Sequence, residues 1–177
     1  MTATRMANGV VIFAALGVGW GLKEFYSRAT PSELLWVLAP TTHMVEWLTG
    51  AHFEFEAQRG FLCRELRYEI VPACAGVNFM VVAFVSLVAG LVHTRSSAAG
   101  RLGWFALAAV AAYATTLLGN ASRIAIAMAM HQAGTSLGPL TGERLHCVTG
   151  VLVYLLSLGT LFTLGARVTG ADHELAD

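Results

Sequence analysis

Charge is scarce in this chain. Only 12% of its 177 residues are Asp, Glu, Lys or Arg, about half the roughly 25% of a soluble domain. An excess of one sign is also missing: eleven Lys and Arg stand against eleven Asp and Glu. Nothing here neutralises a row of phosphates, so nucleic acid is excluded as a partner. Cysteine is sparse too. Three are too few for a disulfide scaffold, and an odd number leaves at least one thiol unpaired. Cys63 and Cys74, eleven residues apart, are able in principle to bridge, and Cys147 opens a helix as a small apolar filler. The start of the chain also lacks a small-x-small cleavage site. Gly19-Trp20-Gly21-Leu22-Lys23 is a poor one, so the apolar stretch Val10 to Leu22, preceded by Arg5, reads as an uncleaved first span.

What remains is apolar and laid out in long blocks. The chain is 56% hydrophobic with a mean hydropathy of +0.63, and its length suits one domain. Residues 7–24, 76–93, 102–130 and 147–167 approach or meet the roughly 20 apolar residues of a spanning helix. All four are rich in Ala, Gly, Ser and Thr, which let such helices approach closely. The predicted fold is an all-α polytopic membrane protein, one membrane-embedded domain over residues 1–177 with the lipid bilayer as its surroundings.

Two stretches break the rhythm. Residues 31–50 are apolar but carry Glu33, Pro40, His43 and Glu46, which predicts an interfacial or re-entrant helix pair hinged at Pro40 rather than a span. Trp36 and Trp47 suit the headgroup level. Residues 51–73 hold the densest charge. Alternation in His52-Phe53-Glu54-Phe55-Glu56 and in Leu66-Arg67-Tyr68-Glu69-Ile70-Val71, around Gln58-Arg59-Gly60, predicts a small hairpin outside the membrane leading into Cys74.

If residues 31–50 stay at the outer surface, Cys74, Arg123 and His146 all face outward. The Lys and Arg count then runs four inside to seven outside, against the positive-inside tendency. If residues 31–50 span, the three residues stay level on the cytoplasmic face. Hydropathy leaves both sides open.

These three residues are the ones that could carry chemistry. Cys74 follows Pro72 at the head of an apolar block, where a helix's positive end favours the nucleophilic thiolate. Gly76 would let a substrate backbone come close, and Asn78, four residues on, shares the helical face of Cys74. Arg123 lies beside apolar sequence, where a cation is costly, with Asn120 three residues earlier on the same face. His146 opens the last span, and Gly150, one turn later, permits tight packing against a neighbour. Imidazole is the usual base for a thiol. Taken singly, each has a plainer reading: a buried structural thiol, an arginine reaching the headgroups, an interfacial histidine. His43, His52, His93, His131 and His173 fall in lid, hairpin, loop or tail and are weaker candidates. Zinc on Cys74, His146 and Cys147 is disfavoured, because adjacent helix positions point about 100° apart.

Together, Ala73-Cys74-Ala75-Gly76-Val77-Asn78-Phe79, Asn120-Ala121-Ser122-Arg123-Ile124 and His146 with Gly150 resemble the exosortase/archaeosortase family. Trp36-Val37-Leu38-Ala39-Pro40-Thr41-Thr42 with Leu48-Thr49-Gly50 resembles its short K-type branch, and the likeness covers most of residues 24–160. The resemblance implies a cysteine transpeptidase of the bacterial inner membrane with its active site facing the periplasm. Its partner would be a membrane-anchored protein with a carboxy-terminal sorting signal: a short PEP-CTERM-like motif, a hydrophobic helix and a basic tail. Cys74 would be the nucleophile, His146 the base and then the acid, and Arg123, with Asn120, the stabiliser of the oxyanion. No metal and no cofactor are called for. The rival expectations are a thiol–disulfide oxidoreductase using Cys63 and Cys74, and a non-catalytic membrane scaffold.

Overall fold

The computed structural model describes residues 3–133 and 142–170, with the backbone alone at 142–147. In chain order its elements are α1 (Ala3–Arg28), α2 (Leu35–Thr49), the short strands β1 (Glu54–Glu56), β2 (Gly60–Cys63) and β3 (Tyr68–Ile70), then α3 (Val77–Leu91), α4 (Ala98–Gln132) and α5 (Gly142–Thr169). Single 3-10 turns precede and follow α3, at Pro72–Cys74 and Val92–Thr94. Four segments are long and apolar enough to cross a membrane: α1, Pro72–Thr94, α4 and Val148–Thr169 of α5. The chain is an all-α polytopic membrane protein. The helices α1, α4 and α5 outrun the apolar blocks read from sequence at both ends, because hydropathy marks the greasy stretch and not the hydrogen-bonded one.

Contacts group the chain into two compact units. One comprises Met1–Phe25, Val77–Thr115 and Ser157–Asp177. Its centre is α3, with Val77, Met80, Phe84, Leu87 and Leu91 among its buried side chains. Phe84 meets Phe105 edge-on at 5.0 Å, and the Trp104 indole N–H donates to the Leu87 carbonyl at 3.1 Å. In this unit α1 buries Ala15 and Gly19, while Phe13 and Trp20 are 76% and 71% exposed, a lipid-facing pattern.

The other unit comprises Tyr26–Gly76 and Thr116–Leu156. Here the sequence expectation of a helix pair hinged at Pro40 is corrected: α2 is one helix that runs through Pro40. Proline lacks the N–H that would reach the carbonyl four residues back. Burial of Val37, Leu38, Thr41, Thr42 and Val45 holds both sides in register across that gap. The turn ahead of α2 is closed by a capping box. The Thr30 N–H and hydroxyl both donate to the Glu33 carboxylate at 2.8 Å, and the Glu33 N–H reaches back to Thr30 Oγ1. Gly50 ends the helix in the left-handed region, φ 71°, donating to the Glu46 carbonyl. At fifteen residues, α2 is about 22 Å long, short of a hydrocarbon core of roughly 30 Å.

The predicted hairpin is a three-stranded antiparallel meander, β1-β2-β3. The expected turn lies between β1 and β2, pairing Glu56 with Gly60, and β2 pairs on with β3, Cys63 opposite Tyr68. The strand missed from sequence is β2. All four of its residues are buried, so it has no alternation to read. Phe55 packs on Phe61 at 5.1 Å, and Arg64 spans to Glu54 and Glu56 at 3.3 Å.

Candidate active site

The last strand of the meander delivers Cys74. After β3, Val71 is extended and Pro72 starts the 3-10 turn, in which the Cys74 N–H donates to the Val71 carbonyl at 2.7 Å. Gly76 then takes φ +70°, a conformation that side chains with a Cβ avoid, and α3 begins at Val77. Cys74 is therefore not in the first turn of α3. The left-handed residue between them resets the helical phase, so the expected shared face of Cys74 and Asn78 is corrected; Asn78 is exposed in the first turn of α3. The space beside Gly76 also differs from expectation. A Cβ there would lie 3.1 Å from Thr116 Cγ2 and 3.4 Å from the Asn120 amide, so side chains of α4 fill it instead of a substrate.

Asn120 is the hub of this unit. It is fully buried. Its Nδ2 donates to the Cys74 carbonyl. Its Oδ1 accepts from Arg123 Nε at 3.3 Å, from Arg123 Nη2 at 3.2 Å and from the Tyr154 hydroxyl at 3.1 Å. One carboxamide thus ties the cysteine turn to the guanidinium, although 49 residues separate Cys74 from Arg123 in the chain. The Arg123 guanidinium also lies over the Tyr154 ring at 5.5 Å. Gly150 makes room for this arginine, since a Cβ there would stand 3.2 Å from Arg123 Cδ. The neighbour foreseen for Gly150 is Arg123 itself.

Three phenols surround the pair. Tyr26 donates to the Pro72 carbonyl at 3.2 Å, bracing the cysteine turn from α1. Burial raises the Tyr68 hydroxyl above its ordinary titration, with Cys74 adding to the rise and Arg123 opposing it, so it stays a neutral donor at any physiological pH. Tyr26 and Tyr154 interact electrostatically with the same two groups. Sequence reading missed all three tyrosines. For Tyr154 a signal exists: it lies one turn beyond Gly150, and so on the same face of α5.

His146 and Cys147 fall in the first turns of α5, and their side chains lie outside the described residues. Cys63 and Cys74 are both free thiols, the first buried in β2 and the second partly exposed. Among the weaker histidines, His43 and His52 both approach the Glu46 carboxylate, at 3.2 and 3.4 Å. The same carboxylate accepts the Phe53 N–H at 2.8 Å and ties α2 to the start of the meander.

Comparison with known proteins finds no matching family model, no significantly similar curated protein and no significantly similar solved structure.

Proposed function

We propose that the chain is a membrane cysteine transpeptidase or peptidase that cleaves the carboxy-terminal sorting signal of an exported, membrane-anchored protein, in the manner of the exosortase/archaeosortase family it resembles. One observation carries the reading: a single buried carboxamide, Asn120, holds both the Cys74 turn and the Arg123 guanidinium. A buried polar network among apolar helices is expensive unless every member is satisfied. A scaffold has no need of one built around a thiol and a cation.

The chemistry follows from the groups. Cys74 Sγ attacks the scissile carbonyl as its proton passes to His146. The developing oxyanion is met by the remaining N–H groups of Arg123, whose Nε and Nη2 are anchored on Asn120. Asn120 is then a positioning residue rather than an oxyanion donor, since it is fully buried behind the Cys74 carbonyl and Arg123 that it holds. His146 returns the proton to the leaving amine, the C–N bond breaks, and a thioester remains on Cys74 for an acceptor amine or water. Gly150, one turn after His146, packs against Arg123, which supports placing the imidazole at this site. The site faces the periplasm of a bacterial inner membrane in this reading, with the meander and α2 forming the surface that meets substrate.

The test is to incubate the full chain in membranes with a candidate sorted protein and trap the thioester on Cys74. Cys74→Ala, Arg123→Ala and His146→Ala should each abolish processing, while Cys63→Ser should leave it intact. Unchanged processing in the first three would sink the reading. Loss in Cys63→Ser alone would favour the thiol–disulfide alternative.

A further inference from the structure

The unit built on α3 carries a feature that the proposed chemistry does not use. Between α3, α4 and α5 lies a groove of about 190 Å³ lined only by apolar atoms, with Leu87, Trp104, Ala108, Ala111, Leu161 and Leu164 among its walls. It is larger than an apolar cavity of about 150 Å³ that admits benzene. From Trp104 to Ala111 it runs about 10 Å along α4, at 1.5 Å per residue. A run of that length lined by apolar atoms suits a chain of methylenes.

At Trp104 the groove adjoins a cation. The Arg95 guanidinium lies over the indole of Trp104 at 5.5 Å, and its Nε is buried with no hydrogen-bond partner among the described residues. A buried N–H of a cation left unpaired costs free energy until an acceptor arrives. Nearby, Arg101 is buried and donates to Asn8 Oδ1 at 2.7 Å, and Arg167 stands in the last turn of α5 beside Val168 of the groove wall. No Asp or Glu occurs between Glu69 and Glu143, so α3, the loop after it and α4 bring no carboxylate to these cations. Arginine over tryptophan is also the pairing expected where hydrocarbon meets headgroups.

We infer that this groove binds one acyl chain of an anionic phospholipid, with the lipid phosphate accepted by Arg95 beside Trp104. The apolar walls fix the chain, and the charge beside Trp104 selects the headgroup. A zwitterionic lipid offers the same tail but cancels the cation's gain with its own ammonium.

The experiment uses the full chain in nanodiscs of equimolar phosphatidylglycerol and phosphatidylcholine. After release into detergent, the retained lipid is counted by native mass spectrometry. Phosphatidylglycerol should exceed phosphatidylcholine at least threefold. Arg95→Gln should return the ratio to that of the bulk, and Arg95→Lys should restore most of the enrichment. Ala111→Phe, which fills the groove, should lower total retained lipid at least twofold. A bulk ratio in the unmodified chain, or enrichment that survives Arg95→Gln, overturns the inference. So does a lipid-free dimer, which gives the groove to a second copy, or a preference that appears only after residues 171–177, with their three acids, are deleted.

Discussion

The two compact units are made of the same kind of helix yet differ in what they bury. Five polar or charged residues are buried among the described ones: Thr41, Thr42, Arg101, Thr116 and Asn120. Four of them belong to the unit that holds Cys74, and only Arg101 to the other. Helix α4 supplies a length to each. Its stretch from Ala98 to Thr115 packs through Trp104, Phe105 and Ala108, whereas Thr116 onward brings Asn120 and Arg123. Spanning helices associate through close packing of small residues and do not require buried amides. In the second unit the buried amide of Asn120 is engaged by the Cys74 turn and by Arg123, whereas the Thr42 hydroxyl is returned to its own helix at the Leu38 carbonyl.

The strongest way to break this contrast is Asn120→Leu. The change strands the Cys74 carbonyl and the Arg123 N–H groups, at about 1–3 kcal/mol for each unsatisfied partner, so a loss of roughly 3 kcal/mol is expected in denaturant unfolding. In the first unit, replacing both members of the Arg101–Asn8 pair by Met and Leu should cost under about 1 kcal/mol, because apolar replacement of both partners is nearly neutral. Equal losses would erase the distinction. Next in size are the glycines. Gly76→Ala forces a Cβ into φ +70° and within 3.1 Å of Thr116, for a loss of about 1–2 kcal/mol from the backbone alone. Gly103→Ala, with open space around it in α4, should be neutral or stabilise by up to about 1 kcal/mol.

The sequence makes the spans and the end of the site legible, but not how the site is closed. Apolar runs and Ala-rich composition locate the four spanning segments, because hydrocarbon burial leaves a mark that needs no partner. Cys74, Arg123 and Asn120 stand out as polar groups in apolar surroundings, and Asn120 and Arg123 share a face by spacing alone. Asn78 fails for a local reason: one left-handed residue, Gly76, breaks a face that spacing had drawn across it. β2 escapes notice because burial on both faces removes its period. The three tyrosines converge from α1, β3 and α5, and long-range convergence has no local signature. The Thr30–Glu33 cap, by contrast, has a local signature, Thr-x-x-Glu, which sequence reading passed over.

Within the site, Tyr154→Phe separates hydrogen bonding from stacking. The variant loses the hydroxyl bond to Asn120 Oδ1 but keeps a ring beneath Arg123, so about 1 kcal/mol of stability should go. Tyr154→Leu should remove up to about 1 kcal/mol more with the cation–π contact. Thermal midpoints in detergent measure both. If the site is catalytic as proposed, thioester formation should fall in the same order, Leu below Phe below Tyr.

The smallest effect tests whether every polar group in the Cys74 unit serves chemistry. Glu33 does not; it caps the turn before α2. Hydrogen bonds from the Thr30 backbone N–H and then from its hydroxyl hold the Glu33 carboxyl below its ordinary 4.5. A depressed carboxyl contributes stability above its unfolded value and loses it as pH falls through the folded one. Glu33→Gln keeps an oxygen acceptor but cannot titrate. The unmodified chain should be slightly more stable than this variant at about pH 6, and the difference should shrink as pH falls below 4.5 and vanish once it has passed the folded value. The position is fully exposed, so screening keeps the gap small, and a differential unfolding series against pH is needed to see it. A gap that stays constant across that range would mean the carboxylate acts through packing or a further contact, and that the cap is not where its charge is used.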